Sequence, residues 1–187
     1  MTGLGTSRTP GRAPAPLRAL LVDDEPLARE LLRSMLEVYA DVEVVGECGD
    51  GAAAVRAVLE LEPDVLFLDV QMPERDGFEV LAAVSERLGG RRGAVGGPPG
   101  LVELPAVVFV TAYDQFALRA FDVHALDYLL KPFDEERLDR ALQRVRERAR
   151  RGERGAGTAS GWSSAWESAR SSSRCARSSG WRRRGRT

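Results

Sequence analysis

The chain alternates five times between a short apolar run and a longer amphipathic stretch, all between residues 18 and 150. The short runs are rich in valine, leucine and alanine, whereas the longer stretches repeat their apolar residues at helical spacing. Short strands that are apolar on both faces are typical of a parallel sheet with helices on both sides. The pattern therefore predicts an α/β fold of the (βα)5 type, with a doubly wound five-stranded parallel sheet. The predicted strands are "RALLVDD", "VEVVGEC", "DVLFLDV", "PAVVFVTA" and "ALDYLL".

The first predicted helix lies within "EPLARELLRSMLEVY", residues 25 to 39. Four of its apolar residues recur at helical spacing, and a proline near its start suits the first turn of a helix. The stretch is therefore predicted to be an amphipathic helix that directly follows the first strand. The four apolar residues are Leu27, Leu31, Met35 and Val38.

Two segments that flank this alternation differ from it in composition. Residues 1 to 17 are predicted to be a disordered N-terminal extension, and residues 151 to 187 a disordered basic tail, because the tail holds no Val, Leu, Met or Phe to form a core. Residues 146 to 187 carry 12 basic and 3 acidic side chains, against 15 and 25 in residues 1 to 145. One folded domain is therefore predicted, over residues 18 to 150.

A segment rich in Gly and Pro, "GGRRGAVGGPPGLVEL", separates the third predicted helix from the fourth predicted strand. These residues, 89 to 104, are predicted to form a flexible inserted loop that is longer than most such connections. The loop leads into the N-terminal end of a strand, whereas ligands of open α/β sheets bind at the carboxyl ends. It is therefore expected on the side opposite the functional edge.

Polar residues follow or end four of the predicted strands. Asp23 and Asp24 end the first, Asp69 the third, Thr111 the fourth, and Lys131 follows the fifth. Converging carboxylates repel one another unless a cation binds between them, and oxygen ligands of this kind suit Mg²⁺. With an ammonium and a hydroxyl beside them, they form a site for a phosphoryl group, for which Asp69 is the natural nucleophile.

Lys131 is the only lysine among the 27 basic residues of the chain. The chain also lacks Ile and Asn, which indicates a GC-rich gene in which lysine codons are rare. A lysine kept against that background suggests a position that needs a compact point charge, which the wider planar fork of arginine does not supply.

Four motifs, in this order and spacing, resemble those of the receiver domain of two-component response regulators: "LLVDDEP", "LFLDVQMPERDGFE", "VVFVTAYD" and "DYLLKPF". The resemblance covers about residues 18 to 150 and implies the flavodoxin-like fold of CheY-like receivers. It implies a signalling domain that takes a phosphoryl group from a sensor histidine kinase in a reaction that needs Mg²⁺. Beyond phosphotransfer and self-dephosphorylation, it implies no enzymatic activity.

The resemblance also implies a set of Mg²⁺ ligands around the phosphorylated residue. Asp69 corresponds to the aspartate that accepts the phosphoryl group and also contacts the metal. Asp24 corresponds to the acid that binds Mg²⁺ directly, and Asp23 to the one that acts mainly through metal-bound water. Gln71 occupies the position whose backbone carbonyl binds the metal.

Four further roles follow from the same resemblance. Thr111 and Lys131 correspond to the two residues that bind the phosphoryl oxygens. Tyr128 corresponds to the aromatic switch residue that turns inward when the threonine moves toward the phosphate. Pro132 corresponds to a proline whose bond to the preceding lysine is cis. In receivers this switch reshapes a face formed by roughly residues 115 to 150, so homodimerisation on phosphorylation is expected.

The stretch "AFDVHALDYLLKPFDEERL" resembles more narrowly the receivers of the LytR/AlgR type, whose output is usually a C-terminal LytTR DNA-binding domain. DNA binding is therefore expected only through a LytTR domain, which residues 152 to 187 cannot form without apolar core residues. This tail is rich in Arg, Ser, Gly and Trp, as shifted reading frames of GC-rich genes commonly are. Suitable codon choices turn "SGWRRRGRT" into the strand-like "WVEAAGAD", so the tail is interpreted as a frameshift product.

Two other functional classes remain open at this stage. A stand-alone receiver would act through protein contacts alone. An aspartate-nucleophile phosphatase could use the same kind of sheet, but it would be expected to carry a second acid two residues after Asp69, where Gln71 stands. The single histidine, His124, is interpreted as a packing or surface residue.

Composition argues against several other classes of protein. Cys48 and Cys175 lie far apart and show neither a disulfide framework nor the spacing of a zinc site. The chain contains no apolar stretch of membrane-spanning length, and its first residues lack the apolar core of a signal peptide. A cytoplasmic protein without membrane contact is therefore expected.

Overall fold

Five parallel strands form one sheet in the order β2-β1-β3-β4-β5. This is the order of the flavodoxin-like doubly wound folds, in agreement with the predicted fold class. The structure is a computed structural model that describes residues 15 to 91 and 104 to 154. The strands are β1 (Leu17–Val22), β2 (Val42–Cys48), β3 (Val65–Leu68), β4 (Ala106–Thr111) and β5 (Asp127–Leu130). The helices are α1 (Pro26–Leu36), α2 (Gly51–Leu61), α3 (Gly77–Arg91), α4 (Ala117–Asp122) and α5 (Glu135–Arg154), and one 3-10 turn spans Asp114–Phe116.

Two apolar clusters lie on opposite faces of the sheet, because successive strand residues point to opposite sides. In β1, Leu20 and Val22 join the cluster that α2, α3 and α4 cover, whereas Ala19 and Leu21 join the cluster that α1 and α5 cover. Each buried Leu or Val contributes about 1.5–3 kcal/mol to folding. The strands are thus apolar on both faces because helices cover both.

Acidic residues cap the starts of three helices and help to fix where each helix begins. The Asp50 side chain accepts a hydrogen bond from the Ala53 amide at 2.7 Å before α2. Asp76 and Glu79 exchange two such bonds at the start of α3, as in a capping box. Asp134 accepts from the amide of Arg137 at 2.8 Å at the start of α5. A cap of this kind stabilises a helix by about 1 kcal/mol.

The row of apolar residues that predicts α1 is mostly not its buried row. Leu27, Leu31 and Val38 are 70%, 60% and 78% exposed, whereas Leu32 and Leu36 are buried against the sheet. Helix α1 has apolar residues on two sides, and helical spacing alone does not determine which side faces the core. The helix is confirmed, but an apolar stripe remains on its outer surface.

The predicted domain limits differ slightly from the structure. Helix α3 continues to Arg91, so residues 89 to 91 of the predicted loop are helical, and α5 continues to Arg154, four residues into the predicted tail. Glycine in a final helical turn costs only about 1 kcal/mol per residue, which a 15-residue helix tolerates. Strand β1 starts at Leu17, inside the predicted N-terminal extension. Of the remaining residues of the predicted extension, loop and tail, residues 1 to 14, 92 to 103 and 155 to 187 lie outside the described residues.

In the two stretches of chain that the structure covers, no helix combines the length and the apolar character needed to cross a membrane.

Candidate functional site

Three carboxylates meet at the carboxyl edge of the sheet, where β1 and β3 end side by side. Asp23, Asp24 and Asp69 each offer an oxygen, and these oxygens lie within 4.8 Å of one another. Asp23 and Asp69 are buried, whereas Asp24 is exposed at the rim. The structure therefore brings together the acidic residues that the strand ends predict.

Backbone hydrogen bonds hold the two buried aspartates beyond the ends of their strands. The Asp23 amide donates to the Cys48 carbonyl at 3.1 Å, and the Asp69 amide donates to the Val22 carbonyl at 2.8 Å. Oxygen Oδ1 of Asp23 accepts from the Glu25 amide at 2.9 Å, and Oδ1 of Asp69 accepts from the Gln71 amide at 3.1 Å. In each carboxylate, Oδ1 thus accepts a hydrogen bond from a backbone amide two residues further along the chain, and Oδ2 faces the other side chains of the site.

The Lys131 ammonium bridges the two Oδ2 oxygens. Its Nζ lies 2.5 Å from Oδ2 of Asp23 and 3.2 Å from Oδ2 of Asp69. Burial by itself would lower the pKa of Lys131, but the hydrogen bond to Asp23 and the charge of Asp69 outweigh it, so the pKa is raised above its usual value. The side chain therefore remains a cation at neutral pH.

The backbone of Lys131 is hydrogen-bonded to the end of the neighbouring strand β4. The Lys131 amide donates to the Thr111 carbonyl at 2.8 Å, which extends the pairing of β5 with β4 by one residue. The Lys131–Pro132 peptide bond is cis. Lys131 directly follows β5, and its ammonium is directed toward the ends of β1 and β3.

Thr111, the last residue of β4, carries a hydroxyl with an unmet hydrogen-bonding requirement. The residue is fully buried, and within the described part of the chain its Oγ1 is a buried side-chain atom without a hydrogen-bond partner. A buried polar group left in this state costs about 1–3 kcal/mol. A ligand with an oxygen near Thr111 would remove that cost.

Tyr128 lies in β5, partly buried between the sheet and the loop that follows β4. Its hydroxyl donates to the Tyr113 carbonyl, and its ring centroid lies 6.4 Å from that of Phe109. Burial raises the pKa of the Tyr128 phenol above its usual value. The side chain therefore contacts the segment that directly follows Thr111.

The other predicted residues take more peripheral positions. Gln71 has an exposed side chain and contributes its amide to Asp69. His124 is exposed between α4 and β5, where its φ of 51° makes it the left-handed residue that follows the helix.

Three features of the site were not predicted from the sequence. At Gly77, the first residue of α3, an added Cβ would collide with the Asp69 carbonyl, and the Gly77 amide donates to the Val70 carbonyl at 2.9 Å. Arg29 of α1 donates from Nη1 to the Asp23 carbonyl at 2.5 Å. Arg137 of α5 pairs with the buried Asp127 at the start of β5. Only Gly77 had a sequence signal, since a glycine at a helix start can mark a close backbone approach.

Chemically, the cluster suits a hard divalent cation together with an anion. The carboxylate oxygens of Asp23, Asp24 and Asp69 are ligands of the type that Mg²⁺ prefers. The Lys131 ammonium and the unpartnered Thr111 hydroxyl are donors that suit the oxygens of a phosphoryl group. The donor set therefore fits both groups at one edge of the sheet.

The profile of the response regulator receiver domain matches residues 19–143. The chain belongs to this family. Receiver domains are signalling domains that interact with histidine kinases, so the predicted class of protein is confirmed.

Relatives with curated descriptions match a segment of similar length. "Transcriptional regulatory protein BtsR" of Escherichia coli (strain K12) is 44% identical over 128 residues, which are 68% of this chain and 47% of that protein. An "uncharacterized response regulatory protein" of Vibrio cholerae is 43% identical over 128 residues, with 68% and 48% coverage. The chain thus spans about half the length of the curated relatives it matches.

Solved receiver structures share the fold. The receiver domain of the response regulator NarL from Mycobacterium tuberculosis is 33% identical, with a TM-score of 0.57 over 70% of this chain and 95% of that one. The corresponding domain of AraT from Geobacillus stearothermophilus is 31% identical, with a TM-score of 0.60 over 73% and 98%. The predicted flavodoxin-like fold of CheY-like receivers is confirmed.

Proposed function

We propose that Asp69 accepts a phosphoryl group from a sensor histidine kinase and that Thr111 and Lys131 bind the transferred group. The observation that supports this most is the combination at one edge of three groups: an Asp69 oxygen that makes no backbone hydrogen bond, the Lys131 ammonium 3.2 Å from it, and a buried hydroxyl without a partner among the described residues. A phosphoryl group bonded to Asp69 would replace the carboxylate as the ion partner of Lys131. It would also supply the acceptor that the Thr111 hydroxyl lacks.

The transfer consists of one nucleophilic displacement at phosphorus. An Oδ of Asp69 forms a bond to phosphorus while the bond from phosphorus to the donor breaks, whether that donor is the kinase imidazole or acetate. The product is an acyl phosphate, and attack by water later returns the aspartate and releases inorganic phosphate. The charge on Lys131 stabilises the negative oxygens as the group is transferred.

Asp24, Asp23, Asp69 and the backbone carbonyl of Gln71 are the residues that would hold Mg²⁺. Bound there, the ion supplies positive charge that offsets repulsion between the incoming phosphoryl group and the acidic residues. Asp24 suits the direct contact because it is exposed at the rim and has no ammonium beside it in the contacts of the described residues.

Asp69→Asn is expected to abolish phosphorylation of the chain by acetyl phosphate in the presence of Mg²⁺, because an amide cannot form the acyl phosphate. Intact-mass spectrometry would show one added phosphoryl group on the unaltered chain and none on the variant. Asp122→Asn is the matched control, since Asp122 is an exposed aspartate at the end of α4. Acid-stable labelling that persists in Asp69→Asn would overturn the assignment.

We also propose that the output is transcriptional and of the LytTR type, as the stretch from residue 120 to 138 suggests. The name of the Escherichia coli relative supports a transcriptional role, and its unmatched half has room for a DNA-binding domain. A cytoplasmic location is part of the same proposal.

The interpretation of the tail as a frameshift product remains a hypothesis, and most of the tail lies outside the described residues. Sequencing the gene across codons 150 to 187 tests it: a corrected base that opens an apolar reading frame is expected, and a verified tail without one contradicts it.

A stand-alone receiver that acts through protein contacts is the second candidate. Exposed apolar residues on α4 and at the end of β5, Leu118 and Leu130, favour it.

A further inference from the structure

Asp127 is a buried carboxylate that the phosphoryl site does not use. It is the first residue of β5, and its side chain is only 3% exposed. A buried carboxylate is costly unless charged donors surround it. Here Arg137 and Arg144 of α5 both reach it, and Arg144 Nη1 lies 3.1 Å from Oδ2. These ion pairs of Asp127 with Arg137 and Arg144 therefore join the start of β5 to α5.

Arg137 makes three hydrogen bonds to two consecutive residues of β5. Its Nη1 donates to Oδ2 of Asp127 at 3.0 Å, and its Nη2 donates to Oδ1 of Asp127 at 2.5 Å and to the Tyr128 carbonyl at 2.9 Å. The Tyr128 amide in turn donates to Oδ1 of Asp127 at 2.8 Å. A planar guanidinium can span these acceptors together, whereas an ammonium cannot.

The segment from Asp127 to Arg137, whose ends the Arg137 bonds join, carries Lys131. Strand β5 is a four-residue edge strand paired with β4, and Lys131 follows its last residue. The Lys131 amide donates to the Thr111 carbonyl, which ties the middle of this segment to the sheet. The bonds from Arg137 join the two ends of the segment, because Asp127 begins β5 and Arg137 lies in the first turn of α5. The segment is thus held on both sides of the lysine.

We propose that Arg137 and Asp127 are a positioning pair that holds the Lys131 ammonium between Asp23 and Asp69. The proposal rests on the proposed phosphoryl-acceptor function for its kinetic consequence, but its geometric consequence is independent of that function. Without the hydrogen bonds of the Arg137 guanidinium, the end of the short edge strand β5 can shift, and the Lys131 ammonium shifts with it. Displacement of such a charged group by about 1 Å can reduce the rate of phosphoryl transfer up to a hundredfold.

The single lysine of the chain provides a direct probe of this geometry. Chain labelled with ¹³Cε-lysine gives one lysine signal in NMR spectra, and that signal reports Lys131 alone. In Arg137→Met the signal is expected to move toward the position of a free lysine side chain. In Arg140→Met, the matched control, it is expected to stay, because Arg140 pairs only on the surface, with Glu136 at 2.8 Å, among the contacts of the described residues.

Phosphorylation by acetyl phosphate gives the second readout. The rate is expected to fall at least about tenfold in Arg137→Met and to stay unchanged in Arg140→Met. Combined with Lys131→Met, Arg137→Met should cause little further loss, whereas combined with Thr111→Ala it should still cause most of its loss. Equal losses in both backgrounds would indicate a general structural effect and would overturn the proposal.

Two additional variants keep the proposal testable if Arg137→Met does not fold. Arg137→Lys keeps the charge but loses the fork, and Asp127→Asn keeps the shape but loses the carboxylate; both should move the lysine signal. An unmoved signal in these folded variants would overturn the positioning role. Absence of any phosphorylation in the unaltered chain would instead contradict the proposed function and leave the NMR result to decide the positioning role.

Discussion

At the scale of single residues, Gly77 lies close to the backbone of Asp69, the proposed acceptor. An added Cβ would collide with the Asp69 carbonyl and lie 3.2 Å from both the Leu68 side chain and the Val70 backbone. Gly77→Ala is therefore expected to displace Asp69 and to destabilise the domain by about 1–3 kcal/mol, the usual cost of overpacking. Urea unfolding and the rate of phosphorylation by acetyl phosphate measure the two effects.

Gly49→Ala is the matched control for this prediction. Its added Cβ would meet only the Arg29 guanidinium, at an ordinary contact distance of 3.5 Å. The control is expected to change stability by less than about 0.5 kcal/mol. If Gly77→Ala were as stable and as reactive as Gly49→Ala, the close approach would have no bearing on Asp69.

At the scale of the elements, α1 places an apolar stripe beside the acidic site. The helix begins at Pro26, three residues after Asp23, and Leu27 and Leu31 are exposed on its outer side. Under the proposed function a kinase histidine reaches the buried Asp69, so the kinase also covers the rim of the site. Leu27→Ser with Leu31→Ser is expected to slow phosphotransfer about tenfold from a kinase chosen because it phosphorylates the unaltered chain.

Acetyl phosphate as the phosphoryl donor distinguishes a loss of kinase docking from a loss of reactivity at Asp69, because this donor is too small to need the apolar stripe on α1. Its reaction with the double variant should match that of the unaltered chain. Leu118→Ser, which changes a leucine that is 81% exposed on α4, is the control for loss of surface leucine. Equal kinase rates for the double variant and the unaltered chain would rule out α1 as the docking helix.

At the scale of the whole molecule, phosphorylation must favour one of two arrangements if a signal is to leave the domain. Thr111 ends β4 at the site, and Tyr128 lies in β5, which forms a face with α4 and α5 where Leu118 and Leu130 are exposed. We expect the chain to self-associate when beryllofluoride, a phosphoryl mimic, is bound at Asp69. Sedimentation velocity should show a larger mass with the mimic than without it.

Leu118→Asp should prevent this self-association without changing phosphorylation, because a charge on that face opposes apolar contact. The same mass with and without the mimic would show that the face does not join two copies. Signalling to a different protein, as for a stand-alone receiver, would then be the better interpretation.

Much of the architecture and of the site follows from local patterns. The second predicted strand coincides with β2, and Asp23, Asp69, Thr111 and Lys131 were predicted to converge because the carboxyl ends of parallel strands share one edge. Apolar runs bounded by polar residues are local signals, and the chemistry of the site depends on residues at the ends of those runs. Such features can therefore be predicted from the sequence.

Other features depend on contacts between segments that are distant in the chain. The choice of Leu32 and Leu36 as the buried row of α1 depends on how the helix lies on the sheet, since its sequence has apolar residues on both sides. The pairing of Arg137 with Asp127 depends on the position of α5 beside β5. The sequence by itself determined the five βα units and the residues at their ends. The tertiary structure decided which face is buried and which charges meet, because packing selects among side-chain rows that local spacing leaves equivalent.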